Sequence, residues 1–250
     1  MPRVELKNVT HAYRDDDLRI RTLGGISLSV EEGEILSLVC VPGAGASTLL
    51  GVVAGVLEPD DGVVLVDGLP VDGPAHSAGL IGAETGLLSW LTLAENIEAG
   101  RALGGDVQTG QVLALLGLTA EADKYPSQVT AVHRSLATLG RALVNSPRVL
   151  LFDDPFRVLS PTERASVRGV VATTLKGIGA TAIFATRDID EALLVGDRVA
   201  VLTLRPATVS SVVDNALPFP RDPNDEEFQV LRILLHHQAY LAREGGDYAI

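Results

Sequence analysis

The chain has a single cysteine, Cys40, a single tryptophan, Trp90, and only 4% aromatic residues among its 250. One thiol cannot close an internal disulfide, which fits a reducing compartment such as the cytoplasm. With so few aromatics the core must be aliphatic, and a hydrophobic content of 46% is ample for one. Positive charge is scarce too: 20 Lys and Arg stand against 32 Asp and Glu, a formal net charge of −12. Nucleic-acid binding needs clustered cations. There is no such cluster, so nucleic acid is not an expected partner. No apolar run approaches the length needed to span a bilayer, and residues 1–13 hold no apolar signal core. The expectation is a soluble chain that docks on a membrane protein without inserting. It is long enough for one large α/β domain, or a core with a smaller insert, and it has no internal repeat.

What is present is concentrated in residues 34–55, EILSLVCVPGAGASTLLGVVAG. An apolar run suited to a buried strand, Ile35–Val39, enters a glycine-rich loop at residues 40–45. That loop opens onto Ala46-Ser47-Thr48 and an apolar helical segment. Strand, glycine loop and Ser/Thr at a helix start make the arrangement that cradles nucleotide phosphates. The pattern is GxxxxGK followed by Ser or Thr, and it is broken twice. Cys40 stands at the first glycine and Ala46 at the lysine.

Before that loop, residues 4–9 and 26–30 alternate as half-buried strands, with an acidic turn at residues 14–17 between them. Glu31-Glu32-Gly33 reads as a hairpin turn into the loop strand. Beyond the helix, residues 58–62 signal a turn, followed by a strand at 63–66 and another turn at Asp67-Gly68. Residues 87–142 are helical in character. Thr92 and Glu95 have capping-box spacing. Val112, Leu113, Leu115 and Leu116 form an apolar face ended by Gly117, and residues 135–144 make a further helix. The glycine-rich stretch 79–86 reads as the join to the core. Residues 149–152 are a solid apolar run, as in parallel strands covered on both faces, and end in Asp153-Asp154-Pro155. A helix capped by Ser160 with Pro161 in its first turn follows, then a strand at 181–185, a helix at 188–194 and a strand at 199–202. A proline-rich link at 217–223 leads to an amphipathic helix with Phe228, Leu231, Leu234 and Leu235 inward. The expected organisation is a single domain. Its core is at 1–86 and 143–215, its helical subdomain at 87–142, and its tail helix at 216–250.

Open parallel sheets gather ligands at the carboxyl ends of their strands. Two strand ends here are equipped: the loop after Val39, and Asp153-Asp154 after Phe152, on a neighbouring strand. Read functionally, they form a Mg-nucleotide site with Ser47 and Asp153 as metal ligands. Read structurally, Gly43 and Gly45 only make a tight strand-to-helix turn and the aspartates cap a helix. Spacing alone does not choose between these readings.

Longer stretches choose. ISLSVEEGEILSLV, LLSWLTLAENI, YPSQVTAVHRSLATLGRALVNSPRVLLFDDPF and TAIFATRDIDEALLVGDRVAVL occur in one order through nearly the whole chain. Together they resemble an ABC transporter ATP-binding subunit of the nitrate, taurine, sulfonate and bicarbonate importer subgroup. The resemblance implies an α/β fold: a P-loop NTPase core with an N-terminal β-rich subdomain and an inserted helical subdomain. It also implies ATP and Mg as cofactors. In the family an aromatic near the N-terminus stacks on adenine, and Tyr13 matches it, although a Tyr packed at a strand end would look the same. Gly43, Gly45, Ser47 and Thr48 match the phosphate loop. Ala46 supplies no ammonium to the β- and γ-phosphates. A hydrogen bond to a charged group is worth roughly 1.5–3 kcal/mol, so the loss is about ten- to a hundredfold in affinity. Cys40 reads as a lone buried cysteine rather than a reactive thiol.

Other positions of the family pattern are altered in parallel. Ala83 stands where a glutamine senses the γ-phosphate. The signature that caps the partner subunit's ATP reads Val129-Thr130-Ala131-Val132-His133, with side chains where backbone must approach closely. Asp153 is kept, but the catalytic glutamate is Asp154, one methylene shorter. Ser160 replaces an aspartate, and Arg187 replaces the switch histidine. The segment at 87–97 is similar to the surface that receives a permease helix, with Leu88, Trp90 and Leu91 as interface residues. A core contact within the helical subdomain is the alternative for Trp90.

The resemblance therefore implies a catalytically degenerate subunit, peripheral on the cytoplasmic face of the membrane. It would bind ATP and Mg weakly, with neither essential. Its partners would be permease subunits and a second, more conventional ATPase subunit. Two alternatives stand beside it: an active ATPase tolerant of these replacements, and a scaffold or regulatory protein that reuses the fold.

Overall fold

The computed structural model describes residues 3–15, 18–41, 43–74, 78–83, 86–101 and 107–244. Two sheets organise it. The first is antiparallel in the order β2-β1-β4-β5, from β1 (Val4–Asp15), β2 (Leu18–Val30), β4 (Asp61–Val66) and the short β5 (Leu69–Pro70). The second runs β10-β9-β3-β8-β7-β6, from β3 (Ile35–Val39), β6 (Ala78–Gly82), β7 (Val149–Asp153), β8 (Ala182–Thr186), β9 (Arg198–Leu202) and β10 (Val209–Asp214). All its pairs are parallel except the antiparallel β9–β10 edge. β3 and β8 are buried along their whole length, as continuous apolar strands covered on both faces should be. The chain is thus a mixed α/β fold with a β-rich N-terminal part on a parallel core.

α1 (Ala46–Val53) follows β3 and packs between the sheets, where Leu49, Leu50, Val52 and Val53 join Val4, Ile26, Leu36 and Leu38 in one cluster. Between β6 and β7 lie α2 (Leu93–Gly100), α3 (Thr109–Leu115) and α4 (Ala131–Leu143), which share a second cluster with α5 (Pro161–Gly177) and the Phe152–Phe184 ring pair. A third cluster joins α6 (Ile189–Val195) to α7 (Glu226–Glu244) through Phe228 and Leu235. Each such fully buried side chain contributes about 1.5–3 kcal/mol.

Several sequence expectations need correction. Arg14 and Asp15 belong to β1 rather than to a turn, because β1 and β2 continue as one long hairpin pairing through Asp15↔Leu18. Its outer end is held by the backbone ladder, with Leu18 exposed, so burial alternation does not mark it. Asp16 and Asp17 lie outside the described residues. Glu31–Gly33 is a turn but not a hairpin, since β2 and β3 sit in different sheets. Part of the stretch at 79–86 is strand β6 at the sheet edge, pairing Ala78–Gly82 with β7, while Glu84 and Thr85 lie outside the described residues. α4 begins at Ala131, four residues before the expected start. Leu115 and Leu234 face outward, since Leu113 and Leu116, and Phe228 and Leu235, take the buried positions on their helices. β10 is an edge strand of half-exposed residues, so no buried apolar run marks it in the sequence. The last tail residues, 245–250, lie outside the description.

Candidate nucleotide site

The strand order places the site. β8 lies between β3 and β7, so Asp153 is not on the neighbouring strand, as expected, but one strand further away. The carboxyl end of β8, Thr186 followed by Arg187, is therefore inserted between the glycine loop and the two aspartates. α1 bridges the gap. Ser47, exposed in its first turn, donates from Oγ to Asp153 Oδ1 at 3.0 Å. A hydroxyl and a carboxylate are thus converged where a divalent cation would take both oxygens.

The loop around them has the form a phosphate seat needs. Gly43 and Gly45 both have φ of +84°, the left-handed region that favours glycine, and Gly45 caps α1 without a side chain. A Cβ on Gly45 would stand 3.1 Å from both Thr22 Cγ2 and Thr22 O, so glycine is also required for packing against β2. Pro42 lies outside the described residues. Ala46 is 8% exposed and brings only a methyl group. Thr48 is buried, and its Oγ1 lies 3.3 Å from the Tyr13 hydroxyl, which puts Tyr13 beside the helix start. The Tyr13 ring packs edge-on against His11 at 4.8 Å and stays 47% exposed, with surface free for a planar base. The glycine cradle, the Ser47–Asp153 pair and this ring fit a magnesium nucleotide. The missing lysine weakens the fit.

Behind the loop, Asp154 and Arg187 face each other. Asp154 adopts φ of +45°, its N–H donates to Ala185 O at 2.9 Å, and its Oδ2 lies 3.1 Å from Arg187 Nε. Burial holds the Asp154 carboxyl above its ordinary range, and the Arg187 charge offsets this only in part. The two positions expected to activate and switch the attacking water are thus engaged with each other. Cys40 lies next to them and donates from Sγ to Thr186 O at 3.6 Å. Burial, and then the charges of Asp154 and Asp153, push its thiol up to about 12. At neutral pH it carries almost no thiolate, so it is not a nucleophile. Ala83, buried just beyond the Gly82↔Asp153 pair, offers no donor to a metal.

Two residues that the sequence did not single out complete the setting. Glu191 is buried in α6 and accepts from Thr186 Oγ1 at 2.7 Å, and Thr186 Oγ1 in turn accepts from Asp188 N at 3.1 Å. This bracing fixes the segment that carries Arg187. Burial raises the Glu191 carboxyl, and its Oε1 has no hydrogen bond, with Arg164 Nε 3.6 Å away. In the sequence it is one of two adjacent acids, Asp190 and Glu191, between apolar Ile189 and Ala192, which does not single it out. Arg205 lines the same depression as residues 43–48, Asp153, Asp154 and Arg187, and its sequence gives no signal.

The remaining expected residues lie elsewhere. None of Val129, Thr130, Ala131, Val132 and His133 lines this depression. Thr130 caps α4 and accepts from His133 N at 3.4 Å, while Val129, Ala131 and Val132 pack against the helical cluster. Ser160 caps α5 in a capping box with Glu163. Leu88, Trp90 and Leu91 lie on the loop before α2. Leu88 and Leu91 are half-buried and Trp90 is 69% exposed, which sets aside a core role for Trp90 within this chain.

Comparison with known proteins finds relatives along nearly the whole chain. The family model described as ABC transporter matches residues 23–157. The aliphatic sulfonates import ATP-binding protein SsuB of Bacillus cereus is 30% identical over 232 residues, covering 92% of each chain. An ABC transporter ATP-binding protein of Methanocaldococcus jannaschii is 31% identical over 232 residues, 90% of this chain and 87% of its own. Among solved structures, cbiO1 of Clostridium perfringens superposes with a TM-score of 0.75 at 22% identity, covering 96% of this chain and 98% of its own. A post-hydrolysis dimer of the ATP-binding cassette MJ0796 with ADP and Pi superposes with a TM-score of 0.72 at 24% identity, covering 88% of this chain and 99% of its own.

Proposed function

The chain belongs to the ABC transporter ATP-binding family, and from that premise we propose that it is the nucleotide-binding subunit of a membrane importer that seats ATP but hydrolyses it negligibly. The observation that carries the second half is the Arg187–Asp154 pair, with Oδ2 and Nε 3.1 Å apart. A carboxylate oxygen that faces a guanidinium is occupied by it rather than open to an attacking water, even though burial keeps the carboxyl itself basic. Ala46 and Ala83 remove two further groups that would touch the γ-phosphate. When bound, magnesium would supply charge neutralisation at the phosphates. Ser47 and Asp153 would hold it, Gly43 and Gly45 would leave room for the phosphates, and Tyr13 would take the base.

The import role draws support from the name of the Bacillus cereus relative. It implies permease partners and a place on the cytoplasmic face of the membrane, and no helix among the described residues is long and apolar enough to cross a bilayer. Trp90, the largest exposed side chain on the loop before α2, fits a permease contact. Each composite ATP site joins one chain's phosphate loop to the other's signature segment. Pairing with a conventional ATPase subunit would therefore leave one candidate for residual hydrolysis, the partner's loop facing this chain's Thr130 segment.

Co-expression with a permease and a second ATPase, should neighbouring reading frames encode them, tests the assembly. The expected result is one complex containing all three, weakened by Trp90→Asp. A chain that purifies alone in their presence, or an unaffected W90D complex, counts against this arrangement.

A further inference from the structure

The phosphate loop lacks its own cation, and the chain's lysines, Lys7, Lys124 and Lys176, lie on other elements. Arg187 is committed to Asp154. Among the described residues one cation remains at the rim. Arg205 sits in the connection between β9 and β10, which is closed by Thr203 N donating to Thr208 O at 3.0 Å and Thr208 N to Thr203 Oγ1 at 2.9 Å. The connection is pinned to β2 by Ala207 N donating to Thr22 O at 2.8 Å and Gly24 N to Ala207 O at 2.7 Å. Thr22 is also the residue that Gly45 packs against. The turn and the glycine loop are therefore fixed to the same strand.

From there Arg205 donates from Nε to Gly43 O at 2.7 Å, and its Nη2 lies 3.8 Å from where a Gly43 Cβ would stand. Among the described residues its two Nη groups have no carboxylate or carbonyl partner. A carbonyl brace uses one N–H. The rest of the guanidinium is an unpaired fork suited to two phosphate oxygens. It borders the depression that holds Ser47 and Asp153.

We propose that Arg205 supplies the phosphate-binding cation that Ala46 lacks, reaching the nucleotide from the β9–β10 connection. The inference rests on the reading that this loop seats a nucleotide. Its consequence is that affinity for phosphates, as distinct from the base, depends on a residue far from the motif in sequence.

The test compares binding of Mg-ATP and of adenosine to the full chain by titration calorimetry. Arg205→Gln keeps a neutral donor for Gly43 O and removes the charge. Expected is a loss of about ten- to a hundredfold in ATP affinity, the worth of a charged hydrogen bond, with adenosine affinity unchanged. Adding Ala46→Lys to that variant should restore ATP binding, and circular dichroism checks that each variant is folded. Equal ATP affinity in wild type and R205Q overturns the proposal. So does a parallel loss for ATP and adenosine, no restoration by A46K, or a wild-type chain that fails to bind ATP at millimolar concentration. The first three outcomes concern Arg205 alone and leave the seat standing, whereas a wild type that binds no ATP removes the seat of the proposed function as well. The subunit reading fails separately, on hydrolysis or on assembly with a permease.

Discussion

At the residue scale, Glu191 shows how the site is held rigid. It accepts from Thr186 at the end of β8 and sits behind Arg187, with one carboxylate oxygen lacking any hydrogen bond. Burial raises its pKa above the ordinary carboxylate range, so the folded chain binds this proton more tightly than the unfolded chain does. The contribution to stability is therefore complete below the unfolded pKa and is lost as pH rises through the raised folded value. Glu191→Gln keeps an acceptor for Thr186 and removes the charge. In thermal denaturation at a series of pH values, the melting temperature of E191Q minus that of wild type should grow as pH rises from the acid range to neutrality. A difference that is constant with pH contradicts the assignment.

At the element scale, the loop before α2 is held in place by Asn96. This fully buried amide donates from Nδ2 to the carbonyls of Leu88, Leu91 and Thr92 at 2.9–3.0 Å, and accepts from Leu88 N at 2.7 Å. Together with the Thr92–Glu95 capping box it fixes the backbone that exposes Trp90. Asn96→Ala leaves buried backbone groups unpaired, at about 1–3 kcal/mol. The melting temperature should fall by several degrees. Because Trp90 is the only tryptophan, its fluorescence anisotropy should fall as well. Unchanged anisotropy would mean that the loop is ordered by something else.

The same element shows what was legible in the sequence. The capping box at Thr92 and the cap at Ser160 could be read because a cap is a local pattern. The positions of Gly43, Gly45, Ser47 and Asp153 could be read because strand ends collect ligands. β6 could not, since its glycines pair through backbone that carries no side-chain signal. The intrusion of β8 between loop and aspartates is a matter of strand order, which no local pattern encodes. Arg205 was illegible for a related reason. It meets Gly43 across 162 residues through the docking of a turn on β2.

At the scale of the whole molecule, all the altered positions but Ser160, which caps α5, fall in two places that the described residues do not bring together. One is the loop with Asp154 and Arg187, and the other is the Thr130 segment at the start of α4. A dimer of this chain with itself would join both alterations in each of its sites. The central claim is that such a chain seats nucleotide without turning it over. Steady-state phosphate release by the purified chain with saturating Mg-ATP tests it most directly. Working enzymes turn over at about 1–10³ s⁻¹. The expected result is a turnover far below that range. A turnover of about 1 s⁻¹ or more, abolished by Ser47→Ala to exclude a contaminant, would contradict it.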